Sequence, residues 1–186
     1  MSKFQQLFAL LQGYTPDSSQ QLQFKQRFLD FIQTELDCLE RSCLFGHITA
    51  SAWVLDSETH SRVLLVEHKK FNCWLQPGGH ADGDLDVVAV AQRELQEETG
   101  IIGRLLSPDI FDLDIHEIPA YKEVPSHLHF DLRFLFEADS SIALVCSEES
   151  HAVRWFDLIG LAKLACDESI LRMATKSQDK KIGSNF

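Results

Sequence analysis

The chain has 186 residues, 45% of them hydrophobic, which suits one ordinary domain with a buried core. Its formal charge of −11 argues against a broad surface for nucleic-acid polymers or anionic membranes, because such surfaces need clustered Lys and Arg. Five cysteines without C-x-x-C spacing, and no signal-peptide pattern or apolar run of roughly 20 residues, favour a reduced, cytoplasmic protein without a disulfide framework.

Two amphipathic helices are predicted at the start of the chain. Apolar residues recur every three or four positions in Phe4–Leu11 and again in Leu22–Leu39. The break between them is rich in turn residues, and either Asp17 or Ser18 could cap the second helix. We interpret residues 1–45 as an N-terminal helical extension. It could cover an edge of the fold or form a homodimer contact, and the pattern does not decide which.

The pattern then changes to strands, a glycine loop and a third helix. Short β-branched runs at Ile48–Leu55 and Arg62–Glu67, separated by the polar turn Asp56–Ser61, predict two strands. Pro77-Gly78-Gly79 interrupts the chain, and Val87–Thr99 returns to helical spacing. Strand, loop and helix therefore follow in that order.

Leu128–Phe136 alternates between apolar and polar residues, which predicts a strand with one apolar face. His127, His129 and Asp131 fall on the polar side. They could line a substrate cleft in which His129 binds substrate and Arg133 meets a phosphate bidentately. An H-x-H pair can also bind a transition metal, and an ordinary polar sheet face with hydrogen-bonded histidines is the alternative.

The last part of the chain predicts a strand at Ala152–Phe156, a closing helix at Leu158–Met173 and a polar tail from Lys176 to Asn185. Together with the N-terminal extension, this gives a core at residues 46–161 followed by a C-terminal helix and tail at residues 162–186.

The densest chemical signal lies between Gly79 and Ile101, in the segment GHADGDLDVVAVAQRELQEETGI. On a helix, Glu94, Glu97 and Glu98 stand at positions i, i+3 and i+4, so their carboxylates lie on one face. Such charges repel one another, but their carboxylate oxygens are hard donors that could bind Mg²⁺ or Mn²⁺, and the cation would remove the repulsion. Many Glu-rich faces are only solvated. The preceding glycine loop, the apolar stripe and the terminal Gly100 favour a metal site here.

This segment resembles the signature of the Nudix hydrolases, G-x5-E-x7-R-E-U-x-E-E-x-G-U, in which U is apolar. The positions that match in register are Gly79, Arg93, Glu94, Leu95, Glu97, Glu98, Gly100 and Ile101. The PGGH-x-DGD pattern at Pro77–Asp84 is similar to one subgroup of this superfamily. The resemblance implies an α/β/α sandwich with a mixed sheet for the core. The catalytic helix would pack through Val87, Val88, Ala91 and Leu95.

The resemblance also implies roles for the matched residues. Glu94, Glu97 and Glu98 would bind Mg²⁺ or Mn²⁺, with the backbone carbonyl of Gly79 as a further ligand. Arg93 would pair with one of these carboxylates and hold it in place. A divalent cation of this kind would neutralise charge on the phosphates and acidify the attacking water.

Three glutamates are candidates for the general base. A base must lie within hydrogen-bond reach of the attacking water, and the family uses either a signature glutamate or a residue from a later loop. Glu97, Glu98 and Glu148 are therefore the candidates, although Glu148 and Glu149 could equally be solvated loop residues. His80, which follows the glycine loop, is a candidate for binding substrate.

One position departs from the signature. Leu85 stands where the first glutamate is expected, between Asp84 and Asp86. Our hypothesis is that this glutamate is peripheral to the metal and that the two aspartates stand in for it. The opposing interpretation is that Leu85 marks a weakened enzyme.

The resemblance implies metal-dependent hydrolysis of the diphosphate linkage in a nucleoside diphosphate joined to another moiety. The expected partner is thus a small nucleotide-type substrate. Two alternatives stay open: a catalytically weakened module of the same fold that binds a nucleotide or a protein, and an isomerase that uses the same metal and carboxylates.

Overall fold

The structure, a computed structural model, describes residues 4–164 and 167–183, so Cys166 lies outside the described residues. In chain order the elements are α1 (Gln5–Gly13), α2 (Ser19–Thr34), β1 (Gly46–Asp56), β2 (Arg62–His68), β3 (Cys73–Leu75), β4 (Gly78–His80), α3 (Val87–Thr99), β5 (Arg104–Leu105), β6 (Asp112–Ile118), β7 (His127–Ala138), β8 (Ser150–Asp157), a 3-10 helix (Leu158–Lys163) and α4 (Glu168–Gly183). None of the helices in these ranges is long and apolar enough to cross a membrane.

The strands form an eight-stranded mixed sheet flanked by helices, which confirms the predicted α/β/α fold. The hydrogen-bonded order is β3-β2-β1-β7-β5, and in addition β4 pairs with β1, β6 with β7, and β8 with β2. Long strands β1 and β7 are buried along most of their length, as expected for strands whose two faces are both covered.

The chain divides into two compact units. The first consists of Met1–Ser51, Gly79–Ala91 and Pro108–Phe134, and the second of Ala52–Gly78, Gln92–Ser107 and Leu135–Phe186. Strands β1 and β7 and helix α3 each contribute residues to both units.

In the first unit, the N-terminal helices are fixed to the sheet. Ser18, one of the two candidate caps, caps α2 by accepting a hydrogen bond from the backbone N–H of Gln21 at 3.2 Å. The fully buried Gln21 side chain donates to the carbonyl of Leu113 in β6 at 2.9 Å and accepts from its N–H at 3.2 Å. Phe31 stacks on Phe130 of β7 with ring centroids 3.9 Å apart. Helix α2 therefore packs against β6 and β7.

Two helix predictions were wrong in their extent. Helix α2 ends at Thr34, not near Leu39, because Glu35 adopts an extended backbone. The predicted closing helix Leu158–Met173 is divided into the 3-10 helix and α4, since the carboxylate of Asp167 accepts a hydrogen bond from the N–H of Ser169 at 2.7 Å and begins a new helix. As a result, α4 continues to Gly183 through most of the predicted polar tail.

Four strands were not predicted from the sequence. Three of them, β3, β4 and β5, have three residues or fewer, which is too short to show a period of two. The fourth, β6, contains Asp112 and Asp114, both of which are buried. Aspartate is depleted in strands, so the segment did not resemble one.

Candidate active site

Helix α3 presents its three predicted glutamates to one small cavity in the second unit. The cavity has a volume of about 220 Å³, and its lining residues are Glu94, Glu97, Glu98, Ser147 and Glu149. The helical spacing of the first three residues accounts for their shared face. Val87, Ala91 and Leu95 of the same helix are buried as predicted, whereas Val88 is only half-buried and Val90 takes part in the core.

The C-terminal end of α3 fixes the loop that closes this cavity. Gly100 ends the helix with a φ of 74°, a conformation that favours glycine, and a Cβ there would lie 2.9 Å from Val145. The N–H of Val145 donates to the carbonyl of Thr99 at 2.9 Å, and that of Ser147 donates to the carbonyl of Glu98 at 3.3 Å. These two bonds hold the loop against the helix that carries the glutamates.

The turn between β2 and β3 holds the other end of the same loop. The N–H of Lys69 donates to the carbonyl of Glu149 at 3.1 Å, and its Nζ donates to the carbonyl of Glu148 at 2.5 Å. The side chain of Glu149 lines the cavity, whereas the exposed Glu148 is not among the lining residues. The adjacent pair of glutamates was visible in the sequence, but a loop has no period that would identify the inward residue.

Glu98 is the most deeply buried of the cavity's glutamates, with 7% of its surface exposed. Its Oε2 atom makes no hydrogen bond with any of the residues that the structure describes. Burial, assisted by the charges of Glu94 and Glu149, raises the pKa of Glu98 to about 8. Burial also raises the pKa of Glu94, although the guanidinium of Arg93, 3.3 Å away, opposes this shift. Ionisation of Glu94 and Glu98 is therefore unfavourable in this cavity.

These residues fit a divalent cation. Carboxylate oxygens are the preferred ligands of Mg²⁺ and Mn²⁺, and Glu98 offers a buried oxygen without a hydrogen-bond donor. Within the described ranges, no three of the cavity's carboxylates have their oxygens all within 4.8 Å of one another. Repulsion between the negative charges favours this separation. Glu97 and Glu149 are exposed, so rotation of their side chains can bring the oxygens closer.

Comparison with known proteins identifies the family. A family model described as NUDIX domain matches residues 46–173. The chain belongs to the Nudix family. No curated protein matches the sequence.

Solved structures share this fold over most of the chain. A Nudix-family hydrolase from Clostridium perfringens is 25% identical, with a TM-score of 0.55, and the match covers 72% of this chain and 97% of that one. An Ap4A hydrolase from C. elegans is 19% identical, with a TM-score of 0.54 and coverages of 74% and 98%. The E. coli dihydroneopterin triphosphate pyrophosphohydrolase is 18% identical, with a TM-score of 0.56 and coverages of 69% and 92%. The family match and the Clostridium perfringens hydrolase identify the chain as a Nudix hydrolase, and the other two structures share its fold.

Gly79 and the residues that lead into α3 lie in the first unit of this Nudix hydrolase. Gly79 and His80 belong to β4, and Leu85 is half-buried in the loop before α3. Asp86 caps α3, since its carboxylate accepts from the N–H of Ala89 at 3.0 Å. Asp84 accepts from the N–H of Asp86 at 2.9 Å. Both aspartates thus have a local role in the loop, and their role as stand-ins for a glutamate stays a prediction.

The predicted polar face of β7 is buried from Asp131 onwards in this Nudix fold. Arg133 is 2% exposed, and its guanidinium lies 2.8 Å from Asp131, 3.3 Å from Asp114 and 3.5 Å from Asp112. Burial alone would lower the pKa of Arg133, but the three carboxylates raise it above its ordinary value. Thr49 and Ser51 of β1 donate hydrogen bonds to Asp131 at 3.1 and 2.8 Å. Substrate binding by Arg133 stays a prediction, and the contacts described give it a structural role.

His129 precedes this network on the same face of β7. Its backbone position is opposite His116 of β6, and its ring lies 5.0 Å from that of His80, measured between centroids. His80 and His129 are both predicted substrate-binding residues, but their positions in the sequence did not predict that they lie together. That proximity depends on strand pairing, and no local pattern in the sequence indicates its register.

Proposed function

We propose that this Nudix hydrolase cleaves the diphosphate linkage of a nucleoside diphosphate joined to another moiety, with Mg²⁺ or Mn²⁺ bound by Glu94, Glu97 and Glu98. The supporting observation is the cavity on α3, where a buried carboxylate oxygen without a hydrogen-bond donor lies among further carboxylates. The signature match supports the backbone carbonyl of Gly79 as an additional ligand. It also supports placing the chain in the subgroup with the PGGH-x-DGD pattern.

A cation bound there would supply charge neutralisation on the phosphates and a more acidic water. Within the chain, Glu94, Glu97 and Glu98 hold it, and Arg93 orients Glu94 through their ion pair. Glu97, Glu98 and Glu148 are the general-base candidates from the sequence. Glu149 joins them because its side chain lines the cavity.

The substrate class is supported by the solved relatives. Their names include an Ap4A hydrolase and a dihydroneopterin triphosphate pyrophosphohydrolase, so small phosphorylated compounds of nucleotide type are the substrates to test first. We propose the same class for this chain, acting as a cytoplasmic enzyme without a nucleic-acid polymer as partner.

The test is mass-spectrometric product analysis. The protein is incubated with Mg²⁺ or Mn²⁺ and with nucleotide sugars, dinucleoside polyphosphates, coenzyme A, NAD or nucleoside triphosphates. We expect one class to be cleaved at its diphosphate, and we expect Glu97→Gln to lower the rate about 100- to 10,000-fold. Glu58→Gln is the matched control, because Glu58 is an exposed glutamate in the turn after β1. Cleavage that persists unchanged in Glu97→Gln would exclude the proposed site.

A binding module of Nudix fold is the second candidate. It is favoured by Leu85 at the position of the first signature glutamate and by the use of Asp86 as a helix cap. This candidate predicts that a nucleotide from the same panel raises the melting temperature without forming product. An isomerase would instead return a rearranged compound of unchanged mass.

A further inference from the structure

Five of the chain's eight histidines lie together on the sheet of the first unit. They come from four strands: His47 from β1, His80 from β4, His116 from β6, and His127 and His129 from β7. The ring centroid of His47 lies 4.9 Å from those of His80, His127 and His129. We call these five residues the histidine cluster. The glutamate cavity uses none of them.

Three of these rings present nitrogens to one another. Within the described parts of the chain, His47, His80 and His129 form one of two groups of side chains whose three donor atoms all lie within 4.8 Å of one another. Nitrogens bound to one tetrahedral Zn²⁺ at 2.0–2.1 Å lie about 3.3 Å apart, so the rings need to close by about 1.5 Å at most. Small side-chain rotations cover that distance.

Buried nitrogens in this cluster lack hydrogen bonds. The Nε2 atom of His129 and both ring nitrogens of His47 are buried and have no hydrogen-bond partner of ordinary geometry among the residues described, although the ring of His47 interacts with the backbone of Cys43. A buried polar atom without a partner costs about 1–3 kcal/mol, and native proteins contain few of them. Two such rings pointing into one group therefore indicate a ligand that accepts nitrogen lone pairs.

We propose that His47, His80 and His129 form a second metal site, which binds a divalent transition cation such as Zn²⁺ and is separate from the glutamates of α3. Imidazole nitrogen suits Zn²⁺, Cu²⁺ and Ni²⁺, whereas Mg²⁺ prefers oxygen ligands. A site with three histidines leaves a fourth position for water or another donor. His80 and His129 are only half-buried, which keeps the site in contact with solvent.

The neighbouring histidines support this site. His116 lies 5.4 Å from His129 between ring centroids, and its Nδ1 is 3.0 Å from the carboxylate of Asp114. His127 forms a 3.0 Å hydrogen bond between its Nδ1 and the carbonyl of Pro125. Both rings are thereby oriented by a neighbour while they border the three proposed ligands.

The experiment is a titration of metal-free protein without a polyhistidine tag, in saturating Mg²⁺. Zn²⁺ binding is followed by calorimetry, and Co²⁺ binding by the visible absorption of tetrahedral cobalt. We expect one equivalent of Zn²⁺ to bind. We expect His47→Asn, His80→Asn and His129→Asn each to weaken it by more than about 100-fold, because even residues that only support a metal ligand cost 10- to 100-fold. His129→Cys supplies a thiolate ligand and should retain binding.

Matched controls locate the bound ion. His151→Asn removes an exposed histidine of β8, and Glu97→Gln changes the glutamate cavity. Cys43→Ser alters the other group of close donors, which consists of Glu35, Asp37 and Cys43. All three variants should bind Zn²⁺ like the parent. Circular dichroism identifies any variant that fails to fold, and the half-buried His80 and His129 variants then decide the result.

Two results would overturn the proposal. One is a parent protein that binds neither Zn²⁺ nor Co²⁺ at micromolar concentration. The other is Zn²⁺ binding that survives in folded variants of the histidine cluster but is lost in Cys43→Ser or Glu97→Gln. Because the readout is metal binding in excess Mg²⁺, neither result depends on whether the glutamate cavity hydrolyses a nucleotide.

Discussion

Burial shifts the pKa values of the glutamate cavity and of the histidine cluster in opposite directions. In the cavity, burial and neighbouring carboxylates raise the pKa of Glu98 to about 8. In the cluster, burial lowers the pKa of His47 and His80 to about 4 and that of His129 to about 2. The cause is the same, because burial disfavours the charged form, and the type of side chain decides the sign. At neutral pH His47, His80 and His129 are therefore uncharged and can offer a lone pair to a metal ion, whereas Glu98 must first lose a proton.

The two regions also differ in how their carboxylates are compensated. The aspartates beside the histidine cluster surround the buried Arg133, whereas Glu94 of the cavity pairs with the partly exposed Arg93. A buried ion pair broken from one side leaves uncompensated buried charge, while an exposed pair contributes little. The stability of the region beside the histidine cluster should therefore depend on the guanidinium of Arg133.

Substitution of Arg133 tests that dependence and should give the largest effect on stability. We expect Arg133→Met to lower the free energy of unfolding by about 3–5 kcal/mol, because three aspartates would lose their buried counter-charge. Denaturant unfolding measures it. Arg104→Met is the matched control: Arg104 pairs with Glu137 but is 70% exposed, so a loss below about 1 kcal/mol is expected. Equal losses in the two variants would contradict the contrast.

The pH dependence of stability tests the opposite signs directly. Glu98 has a raised pKa in the folded state, so without metal its contribution to stability falls as the pH rises from about 4.5 to about 8. His47 and His80 have lowered pKa values, so their contribution is present above pH 6.5 and is lost as the pH falls towards about 4. Melting temperatures of the metal-free protein across this range measure both trends.

Two variants separate these contributions. Glu98→Gln cannot ionise, so its melting temperature should fall less than the parent's between pH 5 and pH 8. His129→Asn should reduce the loss of stability on the acid side, since one buried ring no longer has to stay neutral. If Glu98→Gln kept the parent's full decline at high pH, the raised pKa of Glu98 would not be its cause.

The sequence predicted the two regions to different degrees. Glu94, Glu97 and Glu98 could be placed together because helical spacing is local and the signature fixes their register. Glu149 could not be distinguished from Glu148, since a loop side chain is oriented by hydrogen bonds made elsewhere, here those of Lys69 and Ser147. The orientation of that loop becomes visible only in the folded chain.

The histidine cluster shows the same limit for strands. Alternation along β7 placed His127, His129 and Asp131 on one face, and the structure has them there. His47 attracted no attention, because only the pairing of β1 with β7 and of β4 with β1 brings it beside His80 and His129. Strand pairing joins residues that are distant in the sequence, and no local period encodes its register.

Leu85 provides the smallest expected effect and the sharpest choice between enzyme and binding module. If the first signature glutamate is peripheral, Leu85→Glu should change the rate of metal-dependent cleavage by less than about tenfold, or about 1.4 kcal/mol in the barrier. Leu85→Gln is the matched control, with the same length and no charge. The steady-state rate with the substrate found in the panel is the measurement. A gain much larger than tenfold in Leu85→Glu alone would mean that the natural chain is catalytically impaired, because a carboxylate at this position would then complete a site that Glu94, Glu97 and Glu98 leave unfinished.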